Sequence, residues 1–304
     1  MIKQLLYLPW WFLRARVLGQ RRPLQTVLFV SDICNLRCKH CAESGHAGSI
    51  SKSYAQIKEE MKYAYGLGAR FLDFEGGEPT IWRDGDYNLN SLIALAGQIG
   101  FYTCTVTTNA QLPFADLQAD SIWVSLDGVG KYHDAVRGDG AFARLEKNIA
   151  ESGHANLSVN MAINCLNAPA VEDTIKYAAD NPHIRQISLN FHTPYAGTEW
   201  LALPWEQRVA LIDKIIALKK KGYPIMNSVS GLKLMQTNKF SKQCWVSNFI
   251  LADGTRLAEC PGKTAGVCDE CGFCMAGEMH SVMTLKPDTI LAGLRLRLPG
   301  KKIN

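Results

Sequence analysis

The sequence predicts an α/β fold: a parallel sheet built from six βα units, followed by a small Cys-rich domain with a β-hairpin. Three observations predict it. Strand-like and helical runs alternate over residues 24–221, which implies parallel strands joined by right-handed crossovers. Six such units are fewer than the eight that a closed barrel requires. After Lys219-Lys220-Lys221 the pattern gives way to cysteines around Asp253-Gly254, a dipeptide that signals a hairpin between apolar runs.

The elements follow in order. Residues 1–22 mix Ile2, Leu5, Leu6, Trp10, Phe12, Leu13 and Val17 with Lys3, Arg14, Arg16, Arg21 and Arg22. Interfacial helices use this mixture, although Trp11 and Leu18 fall on the other side and Pro9 interrupts the helix. A terminal helix packed across the sheet explains the same residues equally well. Strand-like runs cover 24–31, 70–74, 101–106, 122–124, 157–163 and 184–190. Residues 53–67 read as a helix with Ser53 as N-cap and Ile57, Met61, Ala64 and Tyr65 on one face. Further helices are expected at 88–99, ending at Gly100, and at 141–152 and 171–179. The run 204–221 has Pro204 in its first turn and Gly222 just past its end, the expected asymmetry. Leu294, Leu296 and Leu298 between Arg295, Arg297, Lys301 and Lys302 repeat the basic, apolar flavour of the leader. The expected division is 1–23 basic leader, 24–234 core, and 235–304 Cys-rich domain and tail.

Composition bounds the function. A hydrophobic content of 47% excludes a disordered or collagen-like chain of 304 residues. The formal charge of +5 is modest and on its own specifies neither a membrane surface nor nucleic acid; no nucleic-acid partner is expected. Eight of the ten cysteines fall in two groups, and intracellular groups of this kind bind metal more often than they form disulfides. A reducing cytoplasmic setting is expected, at most peripheral to the inner face of a membrane. The longest apolar stretch, 5–13, falls short of the roughly 20 residues that span a bilayer, and arginines rather than a cleavage site follow it.

The first group is Cys34-x3-Cys38-x2-Cys41, directly behind the first strand-like run. A four-iron cube normally takes four thiolates, so three leave one iron open. An open metal position marks a reactive site. Gly76-Gly77-Glu78-Pro79, Thr107-Thr108-Asn109 and Ser125-Leu126-Asp127-Gly128 each close a strand-like run. His133-Asp134-Ala135-Val136-Arg137-Gly138 and Ala141-Phe142 come after them. Taken in this order over about residues 24–200, these segments resemble the radical S-adenosylmethionine (radical SAM) superfamily, the last pair resembling its peptide-maturing branch. One departure is His40, where many members carry an aromatic ring.

The resemblance implies a partial (β/α)6, TIM-like barrel with its chemistry at the carboxyl ends of the strands. It implies a [4Fe-4S] cluster on Cys34, Cys38 and Cys41 that binds S-adenosyl-L-methionine, reduced by a flavodoxin- or ferredoxin-type donor to yield a 5′-deoxyadenosyl radical. Gly76 and Gly77 let the backbone pass close to a ligand. Glu78, ahead of Pro79, and nearby carbonyls can accept from the methionyl ammonium; a tight turn explains the same tetrad. Asn109, Ser125 and Asp127 suit the ribose hydroxyls, or plain strand-end turn chemistry. Arg137 suits the methionyl carboxylate, or a solvated surface. Asn190 is a further candidate; His192, Tyr195 and Glu199 follow it and suit the substrate side or, more simply, a loop of satisfied polar residues.

Cys244 and Cys260 bracket the hairpin and Cys268-x2-Cys271-x2-Cys274 follows. This second group resembles the SPASM and Twitch extensions of radical SAM enzymes. Five thiols suffice for one auxiliary [4Fe-4S] cluster rather than two, and a four-cysteine zinc site is the rival. Which cysteine is spare stays open. Cys104 and Cys165 read as small buried hydrophobes. The first functional reading is hydrogen abstraction from a membrane-associated lipid or isoprenoid. The second is modification of a peptide or protein, and the third is a non-enzymatic Fe–S electron carrier or zinc-binding adaptor.

Overall fold

Strands form where β-branched, aromatic and aliphatic residues cluster between turn residues. In the structure, a computed structural model describing residues 2–41 and 49–296, these are β1 (Gln25–Phe29), β2 (Phe71–Glu75), β3 (Thr103–Thr108), β4 (Ser121–Ser125), β5 (Leu157–Ile163) and β6 (Ile187–Phe191). Each pairs in parallel with the next, in chain order. The predicted hairpin is present as β7 (Ser247–Ile250) and β8 (Arg256–Leu257). It does not stand apart from the sheet: β7 runs parallel to β1, giving the eight-stranded order β8-β7-β1-β2-β3-β4-β5-β6. The six parallel strands expected from the alternation form, in the partial barrel that the resemblance implies, with the hairpin extending its first edge. The tail residues Arg297, Leu298, Lys301 and Lys302 lie outside the described residues.

Helices α2 (Tyr54–Leu67), α3 (Leu89–Ile99), α4 (Lys131–Arg137), α5 (Ala141–Ser152), α6 (Val171–Asp180) and α7 (Trp205–Lys220) connect or cover these strands. Ser53 caps α2 by accepting from the Gln56 N–H at 3.2 Å, as its position predicts. Leu72, Phe74, Val106, Ile122, Val124 and Val159 face the helices and pack with Ile57, Met61, Leu92 and Ile149 in one core. The alternate positions of the same strands carry Asp73, Glu75, Thr107, Ser125, Asn160 and Asn190. Period-2 alternation thus places these polar groups inside the barrel, with Val27, Phe29 and Trp123 beside them in register.

The leader, α1 (Ile2–Arg16), corrects two expectations. Pro9 lies inside the helix without ending it, although its missing N–H leaves the carbonyl one turn back without its helical donor. Tertiary contacts hold the helix instead. Tyr7 Oη donates to the Gly68 carbonyl at 2.6 Å and Trp11 Nε1 to the Arg22 carbonyl at 2.9 Å. Trp11, expected on the minority side, is the anchor, packed with Val246 and Met283, whereas Leu6, Trp10, Leu13 and Val17 are exposed. Gly68 precedes β2, so α1 closes the amino ends of the strands, opposite the carboxyl ends that carry the motifs.

Candidate active site

The loop after β1 carries the three cysteines and is tied to the end of β2. Gly77 N–H donates to the Ser31 carbonyl at 2.8 Å and Glu78 N–H to the Ile33 carbonyl at 2.9 Å. A Cβ at Gly76 would run into the Ser31 carbonyl and one at Gly77 into the Ile33 carbonyl. The glycines make room for the cysteine loop itself. Gly77→Ala should therefore cost about 2–3 kcal/mol, because the obstacle is backbone and cannot rotate away. Gly66→Ala, with nothing within 4 Å, is the control and should melt no lower than wild type. Equal melting temperatures for the two variants would refute the account.

Glu78 is buried, and its carboxylate faces the chain. Oε1 accepts from Thr80 N–H (3.1 Å), Thr80 Oγ1 (2.6 Å) and Thr108 Oγ1 (2.7 Å), and Oε2 from Asn109 N–H (2.7 Å). Burial pushes its carboxyl up, and these donors pull it part of the way back. Pro79 is buried at the start of the short 3-10 turn that Glu78 caps. Glu78 is thus a clasp between the ends of β2 and β3, with four donors already on it. Asn109 Nδ2 donates to Asn35 Oδ1 at 2.7 Å and approaches Cys34 Sγ at 3.7 Å, which the Leu36 N–H also approaches at 3.4 Å.

Asp127 and Arg137 come together as a buried pair, Nε donating to Oδ2 at 2.6 Å. The other Asp127 oxygen accepts from the Ala162 N–H at 2.8 Å. Burial pushes the Asp127 carboxyl up, but Arg137 foremost among several partners holds it below the usual carboxylate range. The second arm of Arg137 reaches Cys38 Sγ at 3.8 Å. Arg137 is buried and paired, which corrects the reading of it as a solvated surface residue. His40 approaches Asp127 Oδ2 at 3.6 Å, but burial pushes its pKa down to about 4, so its imidazole is neutral. Its Nδ1 is buried and has no partner among the described residues.

Ser125 faces the barrel interior, half-buried. Asn190 Oδ1 accepts from the Cys274 N–H at 3.0 Å, so this residue joins the barrel to the second cysteine group. His192 is buried with Nε2 at 3.0 Å from the Thr198 carbonyl, Tyr195 is half-buried and Glu199 is exposed. Cys104 is buried as expected; Cys165 is exposed in the turn after β5, which corrects its reading as a buried hydrophobe.

Sequence reasoning passed over Asp73 and Glu75, whose signal is two acids at period 2 within a strand of otherwise apolar residues. Both sit on the inner wall with Thr107, whose hydroxyl lies 3.4 Å from Asp73 Oδ1. Burial foremost, then the neighbouring Glu75, raises the Asp73 carboxyl, and burial pushes Glu75 up to about 7. A carboxyl raised on folding favours the native state less as pH climbs from its unfolded value towards its folded one. Glu75→Gln should melt close to wild type at pH 5 and roughly 3–6 °C above it at pH 8. A constant difference across that range would reject the assignment.

In the second group, the Cys244 thiol interacts electrostatically with Cys260, Cys271 and Cys268, and Cys260 with Cys271 and Cys268. Cys274 is buried, and its N–H is held by Asn190. Among the described residues no three Cys, His, Asp or Glu side chains gather as the ligands of a single ion do. In a cube each thiolate takes its own iron, so its ligands stand further apart. The donor chemistry of the first group fits such a cube: N–H groups and a guanidinium point at its sulfurs, as they do around metal-bound thiolates. Burial pushes the free Cys38 thiol up to about 11, and a metal would have to displace that proton.

The sequence profile of the Radical SAM superfamily matches residues 28–180. The GTP 3′,8-cyclase of Mannheimia succiniciproducens is 26% identical over 158 residues, 47% of this chain and 46% of that protein. The sporulation killing factor maturation protein SkfB of Bacillus subtilis is 27% identical over 170 residues, 52% of this chain and 40% of that one. The chain spans about half the length of the curated relatives it matches. Among solved structures, Streptococcus suis SuiB bound to S-adenosylmethionine superposes with a TM-score of 0.63 at 16% identity, covering 90% of this chain and 68% of SuiB. A likeness at that identity concerns the fold.

Proposed function

Since the chain belongs to the Radical SAM superfamily, we propose that Cys34, Cys38 and Cys41 hold a four-iron cluster with one open iron. On this reading the enzyme binds S-adenosylmethionine there and abstracts a hydrogen atom from a polar substrate in the barrel, a peptide or protein segment foremost. When bound, cluster and sulfonium supply the chemistry: one electron from a flavodoxin- or ferredoxin-type donor breaks a carbon–sulfur bond and yields a 5′-deoxyadenosyl radical. The chain's own residues position and exclude. Asn109 and Arg137 hold the cysteine loop through its sulfurs. Asp127 acts by orienting Arg137 rather than by meeting the ribose. The backbone of Gly76-Gly77-Glu78-Pro79 remains the proposed edge for the methionyl group, and Ser125 the proposed hydroxyl for the ribose.

The observation that carries the substrate class is the inner wall of Asp73, Glu75, Thr107, Ser125, Asn160 and Asn190. Such a surface pairs with amides, amines and hydroxyls and would leave its polar groups unsatisfied against a lipid chain. Among similar proteins, SuiB is bound to precursor peptide SuiA and SkfB is a sporulation killing factor maturation protein. A lipid or isoprenoid is the second reading, favoured by the exposed stripe Leu6, Trp10, Leu13 and Val17 beside Arg14.

We place the auxiliary cluster on four of the five thiols Cys244, Cys260, Cys268, Cys271 and Cys274. The division at residues 23 and 234 goes with it as our reading, the Cys-rich segment being an extension docked on β1 and β6. The test is anaerobic: reconstituted enzyme, dithionite and S-adenosylmethionine, with 5′-deoxyadenosine measured after adding a peptide fraction or lipid vesicles. Stimulation by peptides is expected, and stimulation by vesicles alone would reverse the choice. Iron should reach about eight per chain, whereas about four with bound zinc would remove the auxiliary cluster.

A further inference from the structure

Arg208, on α7, is a guanidinium with no acid beside it. It is 4% exposed, and no carboxylate pairs with it among the described residues. One arm donates to the Cys271 carbonyl at 2.8 Å, and its Nε is buried without a partner. The Phe191 and Trp205 rings flank it at 5.0 and 4.5 Å. Glu270 shares the wall of the adjacent cavity without forming an ion pair with it. A buried charge without a counter-ion is costly, and arginine cannot shed its proton to escape the cost. Cys274 and Cys271 are the groups that interact electrostatically with it. A neutral thiol offers no compensation, and a thiolate bound to iron does.

We propose that Arg208 is the counter-charge of the C-terminal cluster and raises its reduction potential. The proposal rests on the auxiliary-cluster reading above. A cation held against the cluster favours the form carrying the extra electron. The aromatic flanks and the loss of water keep that field unscreened. Arg208 is therefore a tuning residue, acting through the thiolates rather than on substrate.

The test compares wild type, Arg208→Gln and Arg208→Lys as reconstituted full-length protein, by iron content and by redox titration followed by electron paramagnetic resonance. Arg208→Gln is expected to hold about eight irons. Its second cluster should be at least about tenfold harder to reduce, ~59 mV for a one-electron couple, with the first cluster unmoved. Arg208→Lys keeps the charge and should fall between the two. Full iron with an unchanged second potential in Arg208→Gln overturns the proposal. If Arg208→Gln loses the second cluster, its retention in Arg208→Lys supports a charge role, and its loss there too overturns it. Wild type with about four irons instead defeats the auxiliary-cluster reading beneath the proposal.

Discussion

Replacing Cys34, Cys38 or Cys41 by alanine is expected to lower 5′-deoxyadenosine formation by about 10³-fold or more, some 4 kcal/mol of barrier at 1.36 kcal/mol per decade. The size follows from the arithmetic of the site. A cube held by three thiolates that loses one has two open corners, and the electron and the sulfonium no longer meet at a defined iron. The three variants differ in what else they disturb. Cys34 is exposed, so its truncation should leave the melting temperature near wild type, whereas Cys38 is buried beneath Arg137 and its truncation also opens a gap. Anaerobic turnover with chromatographic detection of 5′-deoxyadenosine checks the result, and circular dichroism separates lost chemistry from lost fold. Cleavage retained in any one variant rejects that cysteine as a ligand.

Asp127→Ala is expected to destabilise the protein by about 3–5 kcal/mol, because it leaves the Arg137 guanidinium buried and unpaired. It also removes the acceptor of the Ala162 N–H, so a strand-end donor on β5 is orphaned. Arg137→Met should restore part of the loss when added to Asp127→Ala, since the double variant has no stranded charge; strict additivity of the two would mean that the pair is not coupled. The same pair sets an acid limit. Asp127 has its carboxyl depressed on folding, so the stability it contributes is present above its unfolded value and is lost as pH falls through its folded one. Wild type should thus lose stability below about pH 4 more steeply than Asp127→Ala, as read from urea midpoints at each pH.

Much of the fold is legible in the sequence because it depends on local pattern. The six strands appear within a few residues of the expected runs, and β5 coincides with its prediction at 157–163. Ser53 and Gly100 end their helices as capping chemistry demands. The leader is harder. Its residues admit either an interfacial or a packed helix, and only the partners Gly68, Arg22, Val246 and Met283, distant along the chain, select the face that is buried. Pro9 misleads for the same reason: propensity is a weak prior once tertiary contacts hold a segment.

The site divides along the same line. Cysteine spacing and the glycine tetrad declare that iron and a close backbone approach are involved, since both depend on a few consecutive residues. The partners of those residues do not appear in the spacing. Glu78 spends its oxygens on Thr80, Thr108 and Asn109, and Arg137 spends its charge on Asp127 and Cys38. Asp73, Glu75 and Arg208 are single letters in strand and helix runs until the sheet and α7 place them.

The order of elements and the chemical kind of this protein are therefore written in the chain itself, because hydrophobic period and short thiol spacings are properties of neighbours. Which side chains end up buried together, and hence which charges are paired, which carboxyls keep a proton and which arginine waits for an anion, only the closed packing of the barrel decided. Burial and dielectric belong to the assembled molecule, and no stretch of sequence carries them.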